Sequence, residues 1–346
     1  MERRYETCCL PSLAAGLAFL LAGPAPAAVY CVDTPSALHT AINVAETNGA
    51  DDEIRLVGGT YASSTAFHFQ STEPHSIAFV GGYDANCADA GDEASSLDGQ
   101  QQRRGLFVLN PNGGIAIEGL TFTRGLSTNN RGGGLFASSE SGDIRIDRNV
   151  FLANRADDFG GAARVVTETG TLRVRGNLAF ANSAANIGAF ELMQVSGNAY
   201  VVGNTIAYNA SEGDFMPGGL WIGGAAHFVV SNNIIWDNLP EEPGPFHSDF
   251  MGSINHDRYS NDIGVVAGVA AGEVVGELSV DPQFADCGFL CIGFELERTS
   301  PLVDAGNDVP PGSMPFLDLA GKPRLIGAHV DIGAYENDRL FEDGFD

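Results

Sequence analysis

The chain has 346 residues, 44 acidic against 18 basic, a net charge of −26, and Lys322 as its only lysine. Such a surface repels polyanions, which argues against nucleic acid and anionic membranes as partners. It also weighs against pectate- or alginate-type substrates unless calcium, a possible cofactor, bridges the like charges.

Residues 1–27 read as a secretory signal. Arg3 and Arg4 precede the apolar run Leu13 to Ala22, and Ala25-Pro26-Ala27 supplies a small-x-small cleavage site before Ala28. The run is shorter than the roughly 18 apolar residues of a membrane anchor, and Cys8 and Cys9 precede it where a lipoprotein cysteine would follow. The expectation is a monomer with no membrane span after cleavage, secreted or at the cell surface. Cys31, Cys87, Cys287 and Cys291 then remain, an even number in a chain bound for an oxidising compartment, so two disulfides are expected. Three connectivities exist. The close Cys287/Cys291 pair suggests a local loop, with Cys31 and Cys87 joined near the N-terminal end. A metal site is the rival reading of Cys-x-x-x-Cys, but no histidine lies near it in sequence.

Residues 28–53 predict an N-terminal cap. Thr34-Pro35 opens a helix whose stripe is Leu38, Ala41, Ile42 and Ala45, and Asn48-Gly49 stops it. The stripe would cover the first rung of a coil whose open strand edges need covering. From Ile54 onward, short apolar or alternating runs punctuated by glycine read as strands: 54–57, 77–80, 106–109 and 115–117.

Between Asn149 and Asn238 the phrase Asn-x-x-x-x-Asn occurs four times, starting at Asn149, Asn177, Asn204 and Asn233. The near-constant interval predicts a solenoid in which equivalent residues stack. Counting back from the first Asn, with Leu120 in that slot on the rung before Asn149, gives apolar columns Ile117/Ile146/Val174/Val201/Val230 and Ile115/Ile144/Leu172/Ala199/Phe228. Counting forward gives Phe122/Phe151/Ala179/Ile206/Ile235. The intervening columns, Ala116/Arg145/Arg173/Tyr200/Val229 and Glu118/Asp147/Arg175/Val202/Ser231, should face out, at least in their first three rungs. The asparagines fall at corners as a stacked amide ladder. Counting on from Gly133-Gly134, Gly160-Gly161, Ile187-Gly188 and Gly218-Gly219 gives a second strand with Phe136, Ala163, Phe190 and Trp221 as an interior stack. Arg164 and Glu191 are then an outward ion pair on adjacent rungs. The fold class is thus all-β: a single-stranded right-handed parallel β-helix over residues 54–300, of about eight to ten rungs. Residues 301–336 form a C-terminal cap segment and 337–346 an acidic tail.

The segments Ser96 to Gly99, Gly105 to Leu109 and Ile115 to Phe122 resemble the opening rungs of bacterial right-handed β-helix proteins of the pectin-lyase-like superfamily. Phe151-Leu152-Ala153-Asn154 with Gly160-Gly161-Ala162 is similar to the repeats of polymorphic outer-membrane proteins. Asp281 to Phe284, Ser300 to Gly306 and Gly327 to Glu336 resemble the close of secreted proteins of the choice-of-anchor Q kind. Too few residues follow Glu336 for the membrane barrel that polymorphic outer-membrane proteins carry. Arg339 to Asp346 resembles short terminal tails of some exported Gram-negative proteins.

The resemblance implies that a lyase would use an outward arginine as base beside acidic calcium ligands. The matching residues are Arg145, Arg173 and Arg175 with Glu118 and Asp147, while Asp157 and Asp158 could add metal-binding carboxylates. The same alternation of charge also describes a salt-bridge ladder. A pectin-type hydrolase is a poor match, because the Gly-His-Gly and Arg-x-Lys landmarks of that family are missing. The loop 239–250, with Glu241, Glu242, His247 and Asp249, is the largest polar excursion and a candidate binding surface. These features favour an exported, non-catalytic carbohydrate- or surface-binding protein of adhesin-like character. The alternatives are a polysaccharide lyase or other carbohydrate-active enzyme, and a structural solenoid that engages other proteins.

Overall fold

The computed structural model describes residues 27–91, 93–128, 130–213, 216–238, 247–285 and 293–337. The signal segment up to residue 26, the pair Cys287/Cys291, Glu241, Glu242 and the tail from residue 338 lie outside the described residues.

The chain coils into a parallel β-helix with three long sheets. Among the described residues the first holds ten strands, the second and third eight each, and a fourth, short sheet holds four two-residue strands, and eight turns contribute to all three long sheets. Neighbouring turns lie about 4.8 Å apart, the spacing of hydrogen-bonded strands.

On the first sheet the expected register holds. Ile144 pairs with Ile115 and Leu172, and Ile146 pairs with Ile117 and Val174. The columns continue to Ala199, Val201, Phe228 and Val230, all buried. On the second sheet Phe151 lies between Phe122 and Ala179, with Ile206 and Ile235 following. These columns fill the coil as one continuous apolar core.

The asparagines stack as two ladders. Asn177 Oδ1 accepts from the backbone N–H (2.9 Å) and Nδ2 (3.1 Å) of Asn149, and Asn177 Nδ2 donates to Ile146 O (2.8 Å) and Asn204 Oδ1 (2.9 Å). The same pattern links Asn204, Asn233 and Asn261. A parallel ladder joins Asn154, Asn182, Asn209 and Asn238. The residue before each asparagine makes the corner in a left-handed conformation, as at Arg148, Ala153, Ala181 and Tyr208, with φ between 51° and 56°. The ladder satisfies backbone groups that these sharp bends take out of the strand pairing.

The helix Pro35–Ala45 starts at Thr34, whose hydroxyl accepts from Ala37 N, and it buries Leu38, Ala41, Ile42 and Ala45 over the first turn. Cys31 and Cys87 are disulfide-bonded. No helix among the described residues is long and apolar enough to cross a membrane.

The third sheet corrects the sequence reading. Its interior column is Leu106, Leu135, Ala163, Phe190, Leu220 and Phe250, so Phe136 and Trp221 belong to the outward column with Phe107, Arg164, Glu191 and Met251. Alanine takes the second glycine's place in two turns: Gly134, Ala162, Ala189 and Gly219 are the equivalents that precede the strands. Counting two from the last glycine therefore reads the Gly134 and Gly219 turns one residue out of phase with the Ala162 and Ala189 turns, which exchanges the two faces there.

The ladders of strands end at Val274–Val275 on the first sheet and Val266–Gly268 on the third. Residues 293–337 do not continue the coil. They lie back along its flank as a strap over the second sheet. Ala334 N donates to Thr205 Oγ1 (2.9 Å), Asn307 N donates to Asn232 Oδ1 (2.8 Å), and Arg175 Nη1 donates to Ser313 Oγ (3.0 Å). Leu296, Leu302 and Ile332 close over Ile234, and Phe294 closes over Leu178 and Ala207.

Candidate functional site

Period-2 alternation on the first sheet puts Val29, Glu53, Ala78, Ala116, Arg145 and Arg173 in one outward column. Two alanines between longer side chains leave a hollow. Ala78 and Ala116 form the floor of a depression of about 400 Å³, with Glu53 at one end of the column, Arg145 and Arg173 at the other, and Asp143 also in its lining.

The sequence-predicted charge cluster is brought together at the arginine end. Arg145 reaches Glu118 (3.3 Å) and Asp147 (3.6 Å), and Arg148 reaches Glu118 (2.9 Å). Arg175 grips Asp147 through two parallel bonds, Nε to Oδ1 (3.0 Å) and Nη2 to Oδ2 (2.6 Å). Asp147, expected on an open face, is only 3% exposed. Burial pushes its carboxyl upward against the opposing pull of Arg175 and Arg145. Farther along the same column Val202 and Ser231 are also buried. Arg173 stands apart from this knot, 3.5 Å from Asp143.

The other candidates are dispersed. Asp158 receives Arg131 Nε (2.9 Å) and Asn186 Nδ2 (3.2 Å), and Asp157 lines a separate hollow with Arg155 and Ser183. Asp249 is 2% exposed. It accepts from Asn238 N (2.6 Å), Asn238 Nδ2 (3.1 Å) and Val265 N (2.8 Å), so it terminates the second asparagine ladder. His247 has both ring nitrogens buried with no hydrogen-bond partner among the described residues. Among those residues no group of three or more His, Cys, Asp or Glu is placed to hold a metal ion.

The outward ion pair of Arg164 and Glu191 on the third sheet is as the sequence predicts, but the aromatic members of that face went unrecognised. His68 stacks on Phe107 (4.4 Å between centroids), and Phe107 on Phe136 (4.9 Å, 5° between planes). The Arg104 guanidinium lies 5.4 and 5.5 Å from those two phenylalanine rings. It donates to Gly132 O, Arg131 O and Ser127 Oγ, and burial pushes its pKa down to about 10. Farther along the column Arg164 pairs with Glu191, and Trp221 follows on the next turn. Counting one residue instead of two beyond Gly134 and Gly219 alone would have placed Phe136 and Trp221 outward.

No protein-family model and no curated protein matches the chain. Among solved structures, the crystal structure of pectate lyase Pel9A is similar, with a TM-score of 0.37 and 11% sequence identity over 91% of this chain and 97% of that one. Similarity at that level leaves the chemistry to be argued from this chain's own side chains.

Proposed function

We propose that this is an exported β-helix protein that binds carbohydrate at a surface without catalysing its cleavage, and that it docks its ligand in the first-sheet depression. The observation that carries the reading is the outward column in which an alanine floor runs into Arg145 and Arg173. Small floor residues leave room for a ring, while planar guanidinium groups can donate paired hydrogen bonds to its oxygens. The non-catalytic part of the reading is supported by the ion pairs. A lyase base must be free to take a proton, whereas Arg175 is bonded twice to Asp147, and Asp147 is covered.

The test is a glycan array probed with the mature protein and with the double variant Arg145→Ala/Arg173→Ala. The expected result is retention of a glycan class by the wild type and at least a tenfold weaker affinity for the variant. Equal affinity would remove the support. A calcium-dependent rise in the absorbance of unsaturated uronates on a polyuronate panel would replace the reading with a lyase.

A further inference from the structure

We propose that Trp221 and Glu191 form a stacking subsite for a neutral hexopyranose unit on the outer face of the third sheet, apart from the first-sheet depression. The proposal rests on the reading that the ligand is a glycan, and it adds a second place and a substrate class.

Trp221 is half-buried and outward-facing, one turn from Glu191 in direct register. Two residues on, on the same face, Gly223 carries the tip of the indole. A Cβ at that position would collide with the Cη2, Cζ2 and Cζ3 atoms of Trp221. The ring therefore reaches along its own strand over the sheet instead of standing away from it. The indole N–H of Trp221 makes no hydrogen bond to a described residue, so it is open to a ligand oxygen. Phe107 and Phe136 do not offer the same surface, because their near-parallel rings spend a face on each other.

Glu191 is the second, independent pointer. Its side chain is 5% exposed. Oε1 pairs with Arg164 and lies 3.6 Å from Arg131 Nη1, but Oε2 has no donor among the described residues. A buried carboxylate oxygen without a donor is an unmet demand for a hydrogen bond, which a sugar hydroxyl would supply on displacing the side chains that cover it. Met193 and Met251, which neighbour Gly223 and Trp221 in register, are flexible thioethers that can move aside for a ring. The choice of a neutral sugar follows from charge. A chain of net charge −26 disfavours an anionic ligand, while the electron-rich face of an indole attracts the weakly positive C–H face of a pyranose.

The chain has two tryptophans, so Trp236→Phe leaves Trp221 as sole fluorescence reporter. Hexaoses of gluco-, manno- and galactopyranose are titrated against that variant, and affinities are measured in parallel by calorimetry on the wild type, Trp221→Ala and Gly223→Ala. The expected result is a saturable emission change with at least one hexaose and at least a tenfold loss of affinity in both of the other variants, with circular dichroism unchanged. Absence of any emission change with a folded protein would overturn the proposal, as would equal affinity of Trp221→Ala and wild type. Retention that falls with Arg145→Ala/Arg173→Ala but not with Trp221→Ala keeps the first-sheet reading and sinks this one. No retention of any glycan sinks both.

Discussion

Replacing Asn177 should be among the most destabilising single changes in this protein. Its side chain makes four hydrogen bonds at zero exposure. In Asn177→Ala, Asn149 Nδ2 keeps Ile117 O, and Asn204 Oδ1 keeps the backbone N–H of residue 177. The backbone N–H of Asn149 keeps nothing, and a buried donor left without an acceptor costs about 1–3 kcal/mol. The emptied amide site adds a cavity cost, which brings the expected total to roughly 3–5 kcal/mol. Asn177→Asp separates hydrogen bonding from volume. One carboxylate oxygen can still accept from Asn149, but the other would face Ile146 O and Asn204 Oδ1, both acceptors. The folded state must then hold that carboxyl protonated, so its pKa is raised. Stability is retained below the unfolded value of about 3.9 and lost as pH rises through the folded value. Urea midpoints relative to wild type, taken at pH 4 and pH 7, measure both effects. The reasoning fails if Asn177→Ala costs less than about 1 kcal/mol, or if Asn177→Asp is equally destabilising at the two pH values.

Three further outcomes follow from the structure. The Cys31–Cys87 link spans a sequence separation of 56, so its removal as Cys31→Ser/Cys87→Ser should cost about 4 kcal/mol by the loop-entropy argument, read as a lower melting temperature and faster proteolysis of the first turns. Arg175→Met leaves Asp147 nearly buried, with Arg145 at 3.6 Å as its remaining partner. A loss of about 3–5 kcal/mol is expected, and Asp147→Asn on the same background should recover part of it in a double-mutant denaturation cycle. Burial pushes Glu336 from 4.5 up to about 8 and Asp262 from 3.8 up to about 6. Both values are raised in the folded state, so the stability these groups contribute is complete below about pH 4 and declines as pH rises through 6 and then 8. Glu336→Gln should flatten the upper step and raise the melting temperature at pH 8 more than at pH 5, which thermal scans at the two pH values would check.

The first sheet and the asparagine ladder were legible because one residue type marks the same corner on each turn, which fixes the phase for everything counted from it. Ile146 over Ile117 and Val174 needed no other information. The third sheet has no such marker. The corner before its strands needs a small residue, and alanine serves at Ala162 and Ala189 as well as glycine does at Gly134 and Gly219. A count based on glycine alone therefore lost phase and placed Trp221 inside. The loop 239–250 was read as a site because it is polar. Polarity does not distinguish a ligand-binding carboxylate from a capping one, and Asp249 is the latter.

The strap was hidden by distance, since Arg175 and Ser313 lie 138 residues apart and Thr205 and Ala334 lie 129 apart, with no repeat connecting them. The second sheet nevertheless carried a trace of it. Its strands read Val150-Phe151-Leu152, Leu178-Ala179-Phe180 and Ile234-Ile235-Trp236, apolar on both faces. A strand apolar on both faces must be covered on both. The interior takes Phe151, Ala179 and Ile235, and the strap takes Val150, Leu178, Phe180, Ile234 and Trp236. The first-sheet strands start with the opposite pattern, since Arg145 and Arg173 alternate with buried Ile144, Ile146, Leu172 and Val174. Covering the second sheet leaves the two flanks of the proposed sites open, the first-sheet column ending at Arg173 and the third-sheet column around Trp221. A ligand that protected second-sheet amides from hydrogen exchange while leaving both open flanks unprotected would contradict this assignment.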